Sequence, residues 1–278
     1  MTRSLQHSRA LLIIAMLLAG GEAAAQVPPP TVLVTIPTAG TLARGEYEVE
    51  LLMQRGGGIL GRLAVGFSDR FTIGMSYGVS SFIGDDQIGL NRLMPEAQLK
   101  YRLYDETVSM PAITIGLDSQ GRGNFWRQDI GIDSTSGEYS IKMARYDVKA
   151  IGAYLVISKN WNILGNFGSH VGISKNFIEQ DAADDDFNFF FGFDKEFSPS
   201  VIGFIEFNAA LDDNENDDSD IRNLNLTVGQ GAGYLNAGLR LTMAPGLYME
   251  FDFNDILVNK GTVSSFSREL KVNFLTYF

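Results

Sequence analysis

The chain has 278 residues, 33 acidic against 22 basic side chains, a formal net charge of −11 and no cysteine. The acid excess argues against a nucleic-acid partner, which needs basic surface; the missing cysteines exclude disulfides, thiolate metal sites and a lipidated cysteine anchor. Beyond the N-terminus no apolar run is long enough for a spanning helix, so any membrane span must be built of strands.

The first residues carry the marks of an export signal. Arg3 and Arg9 make a positive region ahead of a short apolar core at 10–18, and Ala23, Ala24 and Ala25 offer a small-residue cleavage site before Gln26. Residues 1–25 are therefore expected to be a signal peptide. Residues 26–45 follow as a periplasmic N-terminal segment or small plug. Pro28, Pro29 and Pro30 make a stiff spacer, and 31–44 read as a short strand or plug.

Period-2 alternation then predicts twelve strands within 46–278, at residues 46–54, 58–67, 71–80, 96–104, 110–120, 146–158, 163–175, 187–195, 201–211, 233–243, 247–254 and 269–278. Their lengths centre on the roughly nine to eleven residues that a tilted strand needs to cross a bilayer. In 46–54, Tyr47, Val49, Leu51 and Met53 oppose Glu46, Glu48, Glu50 and Gln54. In 247–254, Leu247, Met249, Phe251 and Phe253 oppose Tyr248, Glu250, Asp252 and Asn254. The strand at 146–158 is ambiguous, because Ile151, Leu155 and Ile157 share a face with Asp147 and Lys149.

Connections alternate in length. Those at 68–70, 105–109, 160–162, 196–200 and 244–246 are short; those at 81–95, 121–145, 176–186, 212–232 and 255–268 are long, and only 55–57 departs from the rule. Short turns at one end and long loops at the other are the habit of outer-membrane barrels with both termini in the periplasm. An even strand count lets the first strand pair with the last and leaves no open edge. A soluble antiparallel sandwich or barrel would show the same alternation with the apolar faces turned inward.

The final strand sharpens the choice. Leu270, Val272, Phe274, Thr276 and Phe278 lie on one face, and a terminal aromatic fits the interfacial girdle of a barrel. Phe67, Phe71, Tyr101, Trp161 and Phe197 lie beside short turns and fit the same girdle. If the barrel closes, Glu269 and Lys271 are expected to meet the acidic inward face of 46–50 across the seam.

Candidate chemistry is sparse. The lumen-facing candidates are Glu46, Glu48, Glu50, Arg62, Lys100, Arg102, Glu206, Arg240, Glu250 and Asp252, a mixed-sign set that could plug a narrow barrel or line a small pore. His170 is the one histidine after the signal; it shares a face with Asn166, Gly168, Gly172 and Ser174, and no serine-rich motif accompanies it. A hydrogen-bonded lumen histidine is the simpler reading than a catalyst. Acidic runs at 181–186 and 212–220 offer oxygen ligands for Ca²⁺, with Asp212, Asp213, Asp217 and Asp218 as weak candidates. The second run fails the EF-hand template, because Asp217 stands where Gly is needed and Asn223 where the bidentate Glu belongs. A solvated loop explains both runs.

The stretch from Thr35 to Glu46 (TIPTAGTLARGE), with Gly74 to Gly78 (GMSYG) and Lys100 to Leu103 (KYRL), resembles the YjbH-like outer-membrane proteins. The resemblance covers about the first third of the chain after the signal. It implies a barrel behind a Gly/Pro/Thr/Ala-rich opening and an association with exopolysaccharide production or export. This chain looks shorter than typical members.

The reading is an all-β protein, a transmembrane antiparallel up-and-down β-barrel of about twelve strands, within a range of roughly ten to fourteen. Its role is structural or in transport, with polysaccharide or small polar solutes as cargo; a sealed surface-binding barrel and a membrane-embedded hydrolase are the alternatives. No cofactor is expected. The expected partners are outer-membrane lipid and lipopolysaccharide, the barrel assembly machinery through the Phe278 strand, and a polysaccharide.

Overall fold

A computed structural model describes residues 30–132, 139–179, 186–214, 229, 231–260 and 264–278. It contains β1 (Glu46–Met53), β2 (Ile59–Ser68), β3 (Phe71–Ser80), β4 (Gly89–Leu90), β5 (Glu96–Tyr104), β6 (Ala112–Asp118), β7 (Arg122–Ile132), β8 (Tyr139–Val148), β9 (Gly152–Asn162), β10 (Asn166–Lys175), β11 (Asn188–Ser198), β12 (Val201–Asn208), β13 (Tyr234–Ala244), β14 (Leu247–Asn254) and β15 (Ser267–Tyr277).

Twelve of these close on themselves. The order is β1, β2, β3, β5, β6, β9, β10, β11, β12, β13, β14, β15 and back to β1, every pair antiparallel. The seam pairs Glu46 with Tyr277 and Met53 with Leu270, so no barrel strand keeps an unpaired edge. β4 is a two-residue extension of the wall against β3.

Side-chain direction follows the alternation. Val49, Leu51, Leu63, Ile73, Met75, Leu99, Ile115, Val171, Ile173, Phe189, Phe191, Phe193, Ile205, Leu239, Phe251 and Phe253 are large apolar residues exposed on the outer wall. A continuous apolar surface of that extent has no place in water; it fits the hydrocarbon of a bilayer, where a closed sheet satisfies every backbone group internally. The soluble alternative fails on this point, because its apolar faces would point inward. At the end with the short turns, Phe67 packs edge-on against Phe71 and Phe71 against Tyr101. Trp161 and Phe197 are exposed at the same level, and Tyr47 meets Phe278 across the seam at 4.8 Å between ring centres. The four register shifts of the barrel sheet, at Gly66/Ser68, Arg102/Tyr104, Glu196/Ser198 and Thr242/Ala244, all sit beside these turns, the rim position where bulges bend a strand into its turn.

Two sequence readings need correction. The strand expected at 146–158 is two pieces. β9 begins at Gly152, and Tyr146 to Val148 belong to β8. Gly152 has φ +72°, and a Cβ there would stand 2.4 Å from the Lys175 carbonyl oxygen, so the chain re-enters the wall through a turn closed to other residues. The mixed face dissolves once the pieces are separated: Tyr154, Val156 and Ser158 point inward, away from Leu155 and Ile157. Likewise the connection expected at 121–145 is largely a hairpin, β7–β8, standing outside the barrel sheet.

Thr31 to Thr38 fold into a tight hairpin, with Val32 bridging Pro37, Leu33 N–H donating to Ile36 O and Thr38 N–H to Thr31 O. This hairpin lies inside the barrel. Leu33, Val34 and Ile36 are fully buried against the inner faces of β6, β9, β11 and β12, in a cluster with Ala112, Tyr154, Val156, Phe190, Ile202 and Phe204. Gly192 on β11 makes the room: a Cβ there would come within 2.6 Å of Leu33 Cδ1 and 2.9 Å of Ile36 Cδ1. Burying three aliphatic side chains contributes on the order of 1.5–3 kcal/mol each.

Candidate functional site

The lumen has two unlike walls, and the plug lies between them. The apolar wall just described holds the hairpin's aliphatic side chains. At its upper edge Glu206, on β12, holds the hairpin's backbone. Its carboxylate accepts the N–H groups of Val34 (2.9 Å), Thr35 (2.8 Å) and Ile36 (3.2 Å), together with the Thr35 hydroxyl and an Asn236 Nδ2–H (2.8 Å). A carboxylate with so many donors is a strong anchor for a turn whose N–H groups would otherwise be buried unpaired. From the loop end Arg122, at the start of β7, donates to Val34 O at 2.6 Å and pairs with Glu269.

The opposite wall, from β13 through β15 to β1 and β2, is ionic. Glu250 accepts from Arg240 at 2.7 Å and from Lys271, and Lys271 also lies 3.2 Å from Asp252. Arg62 bridges Glu50 at 3.9 Å and Asp118 at 3.7 Å. Lys100 donates to Thr31 O and Thr38 O, fastening the base of the plug, and Arg102 donates to Ala39 O and Thr41 Oγ1. Glu46 accepts from Ala43 N–H, and Glu48 from the Thr31 hydroxyl. All ten residues singled out in the sequence thus lie on the lumen side, five of them bonded directly to residues 30–45. The seam closes as expected with different partners: Lys271 turns to Glu250 on β14, and Glu269 to Arg122.

His170 gains neighbours that its sequence surroundings did not announce. Its Nδ1 lies 2.7 Å from Ser158 Oγ and its Nε2 2.8 Å from Asp194 Oδ1, and all three residues are buried. They come from three adjacent strands, β9, β10 and β11. The pairing registers Ser158 against His170 and Asp194 against Gly168. A Ser-His-Asp line invites comparison with hydrolases, and the details go against it. With Nε2–H directed at Asp194, the Nδ1 lone pair accepts the Ser158 hydroxyl, and Ser158 Oγ in turn accepts Ala39 N–H at 2.8 Å. The adjoining cavity, about 110 Å³, has its donors spent: Asn160 on Glu106, Gly40 N–H on Thr38, Arg102 on Ala39 and Thr41. The line works as a relay from the wall to the plug backbone.

The Ca²⁺ candidates divide. Asp213 is buried, pairs with Arg145 at 2.7 Å and accepts from the Tyr234 hydroxyl at 2.7 Å. Asp212 is buried beside it, and its carbonyl accepts from Lys149. Asp217 and Asp218 lie outside the described residues, as do residues 181–185 of the first acidic run. Among the described residues no three His, Cys, Asp or Glu side chains are grouped to hold a metal.

With plug and ion pairs in place, little of the lumen is empty: a cavity of about 60 Å³ remains beside the base of the plug. A larger one of about 260 Å³ opens above the tip at the loop end.

Neither a family model nor a curated protein matches this chain. Solved structures do. The KdgM porin superimposes with a TM-score of 0.44 at 11% identity, over 84% of this chain and 99% of the porin. The outer membrane protein Omp33 of Acinetobacter baumannii gives 0.40 at 9%, over 84% and 97%. The translocator domain of the autotransporter NalP from Neisseria meningitidis gives 0.35 at 10%, over 99% and 96%. Scores this low carry no shared function. What this chain does is argued from its own lumen.

Proposed function

We propose that the chain is a gated outer-membrane channel for small polar solutes, closed by residues 30–45 and opened when that segment leaves the lumen. The turn end, where both ends of the barrel sheet lie, faces the periplasm, and the β15 strand ending at Phe278 is the part addressed to the assembly machinery. The observation that carries the reading is the ionic wall beside the plug. A buried ion pair is no more stabilising than apolar side chains of the same volume. A barrel closed for good would therefore gain nothing from Arg240, Glu250, Asp252 and Lys271, whereas a wall that is periodically wet requires such residues. The chain runs from the plug into the barrel sheet through Gly45, and none of the plug's bonds is a rung of that sheet, so it can leave without breaking the sheet. The resemblance to YjbH-like proteins adds polysaccharide to the cargoes to be tried. No catalytic role is assigned to His170.

The apolar seat of Leu33, Val34 and Ile36 favours the second reading, a barrel sealed for good by its own N-terminal segment. Conductance separates the two. The exported chain in planar bilayers is expected to be closed for most of the time, and deletion of residues 30–41 to give discrete, long-lived steps. A deleted barrel that folds, judged by heat-modifiable migration, and carries no current would reject the channel.

A further inference from the structure

The cavity above the plug tip has a composition that selects its occupant. Thr35 and Asn236 form part of its floor, both already bonded to Glu206. Its charges balance, with Arg55, Arg122 and Lys260 against Asp147, Asp255 and Glu269. The carboxylates are committed as well. Asp147 accepts from Asn124 N–H and Trp126 Nε1–H, Asp255 from the N–H groups of Asn259 and Lys260, and Glu269 from Arg122. Neither a cation nor an anion finds an excess of opposite charge here. Two neutral groups have spare bonding capacity. Asn254 and Ser267 face each other across β14 and β15 and both line the cavity. Both polar atoms of the Asn254 amide and the Ser267 hydroxyl are shut from solvent without a hydrogen-bond partner, a costly state that a ligand's own polar groups would relieve.

We propose that this vestibule binds one small neutral polyhydroxylated molecule, of monosaccharide size, through the Asn254 amide and the Ser267 hydroxyl. The amide offers a donor and an acceptor side by side, which matches two neighbouring hydroxyls, each able to give and to take. A volume of about 260 Å³ lies below the roughly 300–1,000 Å³ of pockets for drug-sized ligands, so one ring fills it. The proposal rests on the channel reading only in treating this molecule as cargo; the site itself exists with the plug seated.

Trp126 supplies the readout, since its indole N–H is bonded to Asp147 in the wall of the cavity. The chain has two tryptophans, so Trp161→Phe in the otherwise intact protein leaves Trp126 as sole reporter. Titration with glucose and with galactose, in detergent, is expected to give a saturable fluorescence change for at least one of them. Glucuronate and glucosamine should bind no more tightly. Asn254→Leu should weaken the response at least tenfold and Ser267→Ala by a smaller factor, with heat-modifiable migration unchanged in both. A response that never saturates, equal affinity in both variants, or tighter binding of a charged ring would overturn the proposal. Failure here leaves the conductance of the plug-deleted barrel unaffected, and a non-conducting barrel would leave sugar binding intact, so the two readings fail separately.

Discussion

The two walls of the lumen were built for different tasks. The wall of β9, β11 and β12 turns Tyr154, Val156, Phe190, Ile202 and Phe204 inward, against the habit of a water-filled barrel. The wall of β13, β14, β15, β1 and β2 turns acids and bases inward and pairs them. Apolar surface inside a barrel must be covered, and residues 33–36 cover it; paired charges need no cover. The difference shows which side holds the plug and which side would remain as the lining of an open path.

Glu250→Ala should do the most damage, because it leaves Arg240 and Lys271 buried without their shared partner. We expect a loss of about 3–5 kcal/mol of barrel stability, measured by urea unfolding from lipid vesicles, and a loss below about 1 kcal/mol would mean this wall is already wet. Next comes Leu239→Arg on the outer wall, about 2–4 kcal/mol if it sits near the bilayer midplane. The inward neighbour Asn236 offers no mild control for it, because Asn236 is buried and bonded to Glu206, Thr35 and Asp255 N–H. A smaller and more local effect is expected from Leu33→Ala, about 2 kcal/mol or somewhat more. It should appear as faster proteolysis of residues 30–45, with the unfolding midpoint of the barrel almost unmoved. A shifted midpoint with no change in proteolysis would show that plug and wall unfold as one.

The smallest effect is pH-dependent and lies outside the membrane. Glu179 follows β10 and accepts the N–H groups of Tyr146 and Ala150, tying that loop to the base of β7–β8. Burial pushes its carboxyl up to about 7 from 4.5 despite these donors. A raised carboxyl favours the folded loop fully below about pH 4.5, and that advantage is lost as pH rises through about 7. Hydrogen exchange at the Tyr146 and Ala150 amides, corrected for intrinsic rates, should therefore be slower at pH 5 than at pH 8. Glu179→Gln should abolish the difference, and if it persists another group is responsible.

Much of this was legible beforehand. The faces of β1, β13, β14 and β15 follow from period-2 alternation, which is local and survives whatever the rest of the chain does. Less legible was anything depending on register between strands. Ser158, His170 and Asp194 are brought together by pairing across β9, β10 and β11, which no short window of sequence contains. The plug's seat left one unread signal: Val156, Phe190, Ile202 and Phe204 fall on the polar parity of their strands, and inward apolar residues imply an apolar occupant. In 188–193 the consecutive phenylalanines hide this, since Phe189, Phe191 and Phe193 face lipid while Phe190 faces the hairpin.

Whether the plug moves is tested most directly by tethering it. The chain contains no cysteine, and Ala39 N–H touches Ser158 Oγ at 2.8 Å, so Ala39→Cys with Ser158→Cys places a single reducible link between plug and wall. Oxidised, this variant should show no current in planar bilayers; after reduction it should show discrete openings like those of the plug-deleted barrel, though briefer. If the reduced variant stays as silent as the oxidised one while the plug-deleted barrel conducts, the segment is a permanent seal and the gated channel is contradicted.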